Sequence, residues 1–428
     1  MTDTEPDTKR PRSGEAPFDF EEVFFSRTDE RGVIQSGNKV FQRVTDHSWE
    51  KLLGASQNLT RHPDMPKGFF HLFRERLKNG RMASGYVKNL AADGLHYWVF
   101  ALSSPLPSGG YISVQVKPTS YNFANVQAEY AIVRKRELEE NLSGEESGAI
   151  FVERLKELGF ADFEHFMASS LAQELSARDE KLGRGRNLQG EQFSAISKAV
   201  RDAITHTNAL CETFRAIEAV PHNMRILASR LEASGGPIAA ISSNYGSMSR
   251  EISDWVNHFV ISDDSAFANL RRSVSRSRML SAMVRLLEEA RQQFENESDD
   301  PNNPINRHDE EALLKEVSRD YRDSADRYLG MVEKEAVVFG RAVGEMKRMI
   351  AGLSTTRMMC KIESARLPEK NESLMAIIGQ LDKFQAELEN RLEKIGEITA
   401  TVLSASRGLG MGHAVKDRQI KYQTRKVA

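Results

Sequence analysis

Beyond Ser120 the chain stops reading like a globular fold and starts reading like rods. Prolines become sparse, and apolar residues return every three or four positions over spans longer than an ordinary helix. Near the end, Leu374, Ile377, Leu381, Phe384, Leu388, Ile395, Ile398 and Val402 follow this alternation, with Leu392 shifting the seam. Upstream, Leu314, Val317, Tyr321, Tyr328 and Met331 form a similar seam, continued out of phase by Phe339, Val343, Met346, Ile350 and Leu353. A stripe of this period is buried only against another helix. The expectation is a long helical coiled coil or bundle over residues 191–410, paired within one chain or between two. The prolines at 301, 304 and 368 mark bends where helices fold back. Residues 149–182 read as one helical subunit with the stripe Phe151, Leu155, Leu158, Phe163, Phe166, Leu171 and Leu175. Gly183–Gly190 reads as a hinge, so that 121–190 forms a helical connector.

Ahead of that break the texture is mixed. Phe24–Asp29 and Val33–Ser36 read as short strands around Gly32. Asn38, Phe41, Val44, Trp49, Leu52 and Leu53 are spaced for short amphipathic turns, and a helix runs from Lys67 to Lys78. Three more strands are expected at Ala83–Leu90, His96–Ser104 and Gly110–Lys117, with turns at Asp93-Gly94 and Ser108-Gly109-Gly110. Residues 21–120 therefore read as an α+β domain with an antiparallel sheet of about five strands, able to enclose one small pocket. Residues 1–20, polar and carrying Pro6, Pro11 and Pro17, read as a disordered leader, and 411–428 as a basic tail.

Composition removes several classes of function. A net charge of −2 argues against bulk nucleic-acid or anionic-membrane binding. Cys211 and Cys360 are far apart and lack metal-ligand spacing, which excludes a disulfide scaffold or zinc ribbon and fits a reducing cytoplasm. No apolar run approaches the roughly 18 residues of a membrane span. No nucleophile triad, Walker loop or paired carboxylates emerge, so the chain is not expected to be an enzyme.

One segment of the α+β domain carries more chemistry than a connection needs. Arg61-His62-Pro63-Asp64-Met65-Pro66 holds two basic residues and a carboxylate between proline-fixed backbone angles. It is either a rigid turn whose Arg61 and Asp64 form a surface ion pair, or a set of polar groups presented to a ligand.

In context the segment from Phe24 to Ser120 resembles the PAS sensor domain of bacterial aerotaxis receptors. The resemblance is carried by Thr28-Asp29 with Gly32, Asn38 with Phe41, and Asn58-Leu59-Thr60 leading into the proline-bounded turn. It continues through Gly85-Tyr86-Val87-Lys88-Asn89, Asp93-Gly94, Tyr97-Trp98-Val99 and Gly110-Tyr111-Ile112-Ser113-Val114. It implies a pocket for FAD, whose redox state reports oxygen or respiratory energy. The implied cofactor-binding residues are Asn38, Arg61, His62, Asp64, Phe70, Asn89 and Trp98. Arg61 suits the pyrophosphate, while His62 and Asp64 hydrogen-bond the cofactor or fix Arg61. Asn38 and Asn89 match polar positions that couple the pocket to signalling, and Phe70 matches an apolar pocket position. Family members carry a tryptophan where this chain has Ala83, which leaves room for a different ligand. Haem b, held by His62, His71 or His96, and an empty pocket are the alternatives.

A fainter resemblance, to the membrane-distal hairpin of methyl-accepting chemotaxis proteins, lies at Asn223–Ala233, followed by Ser234-Gly235-Gly236-Pro237 as a turn. It implies Asn223, Leu227, Leu231 and Glu232 as partner-binding residues and a return helix through Ile238, Ile241, Tyr245, Met248 and Ile252. The kinase-binding tip of that family, its methylation repeat and its C-terminal tether are absent. Together the resemblances imply a cytoplasmic redox- or oxygen-sensing transducer. It would pair as a homodimer or larger oligomer through its helices and signal to a chemotaxis histidine kinase, its coupling protein or a receptor array. A coiled-coil scaffold or localisation protein that uses the PAS fold to bind other proteins is the competing expectation.

Overall fold

The computed structural model describes residues 10–427 apart from 161, 186, 218–219, 232–235, 263, 299–302 and 367–371. The chain divides into two units, Met1–Gly190 with Ser275–Asp326 and Glu191–Val274 with Arg327–Ala428.

The first unit is built on a five-stranded antiparallel sheet in the order β2-β1-β5-β4-β3. The strands are β1 (Val23–Thr28), β2 (Ile34–Gly37), β3 (Ala83–Leu90), β4 (His96–Pro105) and β5 (Tyr111–Val116). Glycines set two of the turns: Gly94 has φ +85° and Gly110 has φ +79°. A Cβ at Gly110 would run into the Thr28 carbonyl, so only glycine fits there. Between β2 and β3 lie α1 (Lys39–Thr45), α2 (Trp49–Leu52), a 3₁₀ turn (Gln57–Thr60) and α3 (Lys67–Lys78).

Side chains alternate between the two faces of each strand. One face looks toward α1–α3. The other is covered by α4 (Asn122–Glu139), α5 (Gly144–Glu157), α6 (Phe163–Lys181) and a hairpin of two longer helices. The single helical subunit expected over 149–182 breaks at Gly159, whose φ of +86° ends α5. The expected aromatic stripe survives the break, with Phe151 5.9 Å from Phe166 and 6.2 Å from Phe163. Gly68 of α3 lies against the backbone of Ser147 and Gly148, so α3 and α5 touch main chain to main chain. Buried Glu137 seals that contact by accepting from the Gly68 amide at 3.1 Å and from the Ser147 hydroxyl.

The hairpin joins α10 (Ala266–Glu295) to α11 (Arg307–Arg366), and its residues 275–326 belong to the first unit. The helices run antiparallel there: Ser277 donates to the Ala325 carbonyl at 3.0 Å, and Ser318 to Glu288 at 2.9 Å. The single helical region expected over 191–410 is therefore divided, because Phe294 and Glu310 in this stretch pack on the sheet.

Just beyond α10, Glu297 accepts from the Lys39 amide at 2.8 Å, which places a carboxyl on the N-terminus of α1. Burial pushes this carboxyl up to about 7, against the Lys39 amide bond and the positive charges of Lys39 and Arg307, which pull it down. The docked state thus holds a proton that a free carboxyl, with its usual value of 4.5, releases. The contact contributes most below that value and weakens as pH rises through 7. Exchange of the Lys39 amide, corrected for its intrinsic pH dependence, is expected to accelerate between pH 5 and 8. Glu297→Gln should flatten the profile; stronger protection at alkaline pH would contradict the assignment.

Residues 10–20 depart from the disordered leader expected there; residues 1–9 lie outside the described part. The Ala16 amide donates to the His96 carbonyl at 2.7 Å, and the His96 amide to the Gly14 carbonyl at 3.1 Å. Phe18 is buried 5.6 Å from Phe24 and 6.4 Å from Tyr97. Two apolar residues, Ala16 and Phe18, dock a segment whose polar composition hides them.

The second unit contains most of α7 (Leu188–Ile217), α8 (Val220–Leu231), α9 (Pro237–Val256), the remaining parts of α10 and α11, and α12 (Glu372–Val427). α11 and α12 pair antiparallel within the chain, through Glu333 with Arg407 at 3.1 Å and Arg357 with Asp382 at 2.7 Å. The expected seam of Phe339, Val343, Met346, Ile350 and Leu353 is buried, as are Leu381, Phe384, Leu388, Leu392, Ile395 and Val402. Upstream the seam shifts: Ala325, Leu329, Val332 and Ala336 are buried, while Met331 is 51% exposed. Cys211 and Cys360 are both buried. No described helix is long and apolar enough to cross a membrane.

Candidate functional site

Between the sheet and α1–α3 lies a cavity of about 370 Å³, near the small end of the range for ligand sites, about 300–1,000 Å³. Its floor comes from alternate residues of four strands: Ser26 and Thr28, Val87 and Asn89, Tyr97, Ala101 and Ser103, Ser113 and Gln115. Phe41, Thr60, Phe70, Phe73 and Leu77 form the walls. A sheet face so rich in hydroxyls and amides is a poor packing surface but a good binding surface.

The Ser103 hydroxyl satisfies itself on Ser113 at 2.8 Å. The Ser26 Oγ and the Tyr97 hydroxyl are buried and have no hydrogen-bond partner. Burial pushes the Tyr97 hydroxyl up, so it is a neutral donor, with Thr60 nearby but not bonded to it. Leaving such groups unpaired costs about 1–3 kcal/mol each, which a polar ligand would recover.

The mouth is cationic. α3 presents Phe70 and Arg74 four residues apart on one face. Arg61 comes from the proline-bounded turn, and its guanidinium carbon lies 4.2 Å from the Phe70 ring centroid, with that of Arg74 5.9 Å away. Arg61 makes a long bond to the Met65 carbonyl at 3.4 Å, and Arg74 donates to Asn58 Oδ1 at 2.6 Å. Among the described residues neither guanidinium has a carboxylate within ion-pair distance. Burial pulls the Arg61 pKa down, and the charges of Arg74 and Arg134 add to that against the opposing pull of Glu137. Arg31 and Lys78 also line the cavity, with Glu30 as the opposing carboxylate. A shallow shelf of about 300 Å³ adjoins it, sharing Arg61, Phe70, Arg74 and Lys78 and adding Lys67, His71 and Glu75. A chamber of ring size that opens past two guanidiniums without carboxylate partners onto a basic shelf fits a planar, anionic ligand.

Of the seven residues expected to hold a cofactor, Arg61, Phe70 and Asn89 line the cavity, and the other four do not. Arg61 forms an antiparallel bridge with Asn89, which puts both on the cavity face and turns the next residue away. His62 Nδ1 accepts from the Asp64 amide at 3.1 Å, and Asp64 pairs with Lys88 at 2.6 Å rather than with Arg61. Asn38 is consumed structurally: its oxygen accepts from the amides of Phe25 (3.3 Å) and Phe41 (3.2 Å), and its nitrogen donates to the Val23 carbonyl at 2.9 Å. Trp98 has the wrong strand parity and packs on Phe123 and Tyr130 of α4, at 5.2 and 6.3 Å. Ala83 is buried but not part of the lining, so its small size does not widen the chamber.

Arg74, Ser26 and Tyr97 were not anticipated. Arg74 follows from Phe70 by helical spacing; Ser26 and Tyr97 follow once the phase of strand alternation is known. In the second unit Asn223 is exposed on α8. Leu227 and Leu231 fall in the same helix, but their side chains, like Glu232 and the rest of the turn through 235, lie outside the described residues. The return helix is α9, and Ile238, Ile241, Tyr245 and Ile252 are buried on it.

No protein-family profile matches the chain. It is 36% identical over 112 residues to the aerotaxis receptor of Escherichia coli, a match covering 25% of this chain and 22% of the receptor. Similar solved structures include the light state of the blue-light photoreceptor Aureochrome1 LOV, at 23% identity and TM-score 0.22 over 24% of this chain and 85% of that one. A PAS domain from Colwellia psychrerythraea is 19% identical with TM-score 0.19, over 22% of this chain and 85% of that one. The blue-light activated histidine kinase of Erythrobacter litoralis is 11% identical with TM-score 0.23, over 73% of this chain and 70% of that one.

Proposed function

Because its first unit holds an aerotaxis-receptor-like PAS domain, we propose that this protein is a sensory transducer whose cavity binds FAD and whose helical second unit carries the output. The observation that carries the reading is the pair Arg61 and Arg74, both near the Phe70 ring and without carboxylate partners among the described residues, above a cavity with two unsatisfied hydroxyls. Arg61 and Arg74, with the shelf residues Lys67 and Lys78, would hold the phosphates. Asn89, Ser26 and Tyr97 would meet the polar edge of the ring. The cofactor supplies reversible redox chemistry that alters its hydrogen-bonding pattern; the protein supplies orientation and shields the ring from water. Signal detection rather than catalysis is the proposed role, with oxygen or respiratory state as the input.

Haem fits the residues less well, since neither His62, His71 nor His96 lines the inner cavity. For output we propose a cytoplasmic chemotaxis kinase, its coupling protein or a receptor array, reached by homodimers or larger oligomers paired through the helices. The Asn223–Leu231 helix and its return support that reading through their resemblance to a chemoreceptor hairpin. The test is an absorbance spectrum of the purified full-length protein, before and after dithionite. Flavin bands that bleach on reduction are expected. A Soret band, or no flavin and no uptake of added FAD, would sink the proposal.

A further inference from the structure

We propose that Glu137, on the connector helix α4, is a positioning residue for the cavity mouth: it supplies the N-terminal cap that the mouth helix α3 lacks. The proposal rests on reading the mouth as the seat of an anionic ligand, whether or not that ligand is a flavin.

α3 carries two parts of the mouth, the Phe70 ring and the Arg74 guanidinium. How this helix is held therefore sets where a ligand's charge is met. Its own sequence holds it poorly at the start. The residue at the cap position is Pro66, which makes no side-chain bond to the first turn, and no acidic residue stands in that turn. The free amides at such an end ordinarily find a Ser, Thr, Asp or Asn side chain. Lys67, at the first helical position, instead places a positive charge where the helix dipole favours a negative one.

The missing acceptor comes from 69 residues further along the chain: Glu137 accepts from the Gly68 amide at 3.1 Å. The same carboxylate oxygen accepts from the Ser147 hydroxyl of α5, and the other oxygen accepts from Arg134 at 2.8 Å. The Gly68 amide is shared with Ser147 Oγ at 3.2 Å. Beside this knot Lys67 donates to the Leu142 carbonyl, between α4 and α5, at 3.2 Å. Gly68 is pressed on the α5 main chain, so α3 cannot slide without breaking these bonds. Gly144, the first residue of α5, lines the shelf next to Lys67, His71 and Arg74. The connector thus forms part of the site.

Charge gives the proposal its sign. Glu137 is an acid beside a cationic group, and its field at Arg61 opposes those of Arg74 and Arg134. If it acted only as a nearby charge, deleting it would make the mouth more cationic and tighten an anion. If it positions α3, deleting it weakens the anion. The two roles predict opposite changes.

The test is fluorescence titration of the full-length, cofactor-free protein with FAD and with riboflavin, which lacks phosphate. Glu137→Ala is expected to weaken FAD by about tenfold, the worth of one charge-assisted hydrogen bond, and to leave riboflavin nearly unchanged. Glu137→Gln keeps the acceptor for Gly68 and Ser147 but drops the charge, and it is expected to bind FAD at least as tightly as the wild type. Positioning is overturned if Glu137→Ala binds FAD as well as the wild type, if it loses both flavins alike, or if Glu137→Gln falls as far. Should the alanine variant fail to fold, Glu137→Asp keeps the charge but draws the acceptor back by one methylene. It is expected to bind FAD more weakly than Glu137→Gln, and the reverse order overturns the proposal. If the wild type takes up neither flavin, the cofactor reading fails, and calorimetric titration with inorganic pyrophosphate decides the positioning. The same order of affinities supports it; equal binding by all variants, or none by the wild type, overturns it.

Discussion

Replacing Arg61 and Arg74 together with alanine is expected to lower FAD affinity by a hundredfold or more, and each single replacement by about tenfold. Hydrogen bonds to charged groups contribute roughly 1.5–3 kcal/mol, and each 1.4 kcal/mol is about a factor of ten. Neither arginine has a carboxylate to release first, so their charge is fully available to a phosphate. Each also loses a contact with the Phe70 ring. Fluorescence titration of the cofactor-free protein provides the measurement. Riboflavin, which lacks phosphate, should be nearly insensitive to both substitutions, because the inner cavity is untouched. If the double variant binds FAD like the wild type, the mouth is not where the phosphates sit.

The largest loss of stability is expected from Glu174→Ala. This carboxylate is 1% exposed and accepts from the Thr119 amide (2.6 Å), the Ser120 amide (3.1 Å) and the Ser120 hydroxyl (2.5 Å). The Ser120 hydroxyl also lies 3.1 Å from the Tyr86 hydroxyl. Removing the carboxylate leaves two backbone donors and the Thr119 and Ser120 hydroxyls without their acceptor. At about 1–3 kcal/mol for each stranded group, and allowing for relaxation, the cost is about 3–5 kcal/mol. It falls where the sheet hands over to α4, so the sheet and the connector should loosen in one transition. Glu174→Gln, which keeps an acceptor, should lose less than half as much. Chemical denaturation followed by tryptophan fluorescence, with Trp98 close to this network, would read both variants.

Local features of this fold were legible because they rest on local physics. The helix from Lys67 to Lys78 was expected at its observed bounds, and β3 likewise, since a glycine turn and a proline bracket them. Strand parity was not legible from composition, so Trp98 was placed in the site although Tyr97 beside it lines the cavity. Of the charged residues in the proline-bounded turn, only Arg61 reaches the cavity. Its bridge to Asn89 is a long-range contact that no local pattern announces. Asn38 shows the converse error: a buried amide at a family-like position turned out to cap α1 and tie it to β1. The return of residues 275–326 to the sheet was hidden for a similar reason. A helical stripe reveals that it must be covered but not by what, and here Phe294 is covered by Phe25.

The alternation along β1 has an evolutionary reading. Because its odd and even positions face different surroundings, the strand keeps two vocabularies in one short word. Substitutions at Ser26 or Thr28 can retune what is detected without rewriting Phe25 or Arg27, which address the helices. A lineage could change stimulus while keeping its wiring, or change wiring while keeping its stimulus, by single-codon steps no more than three residues apart.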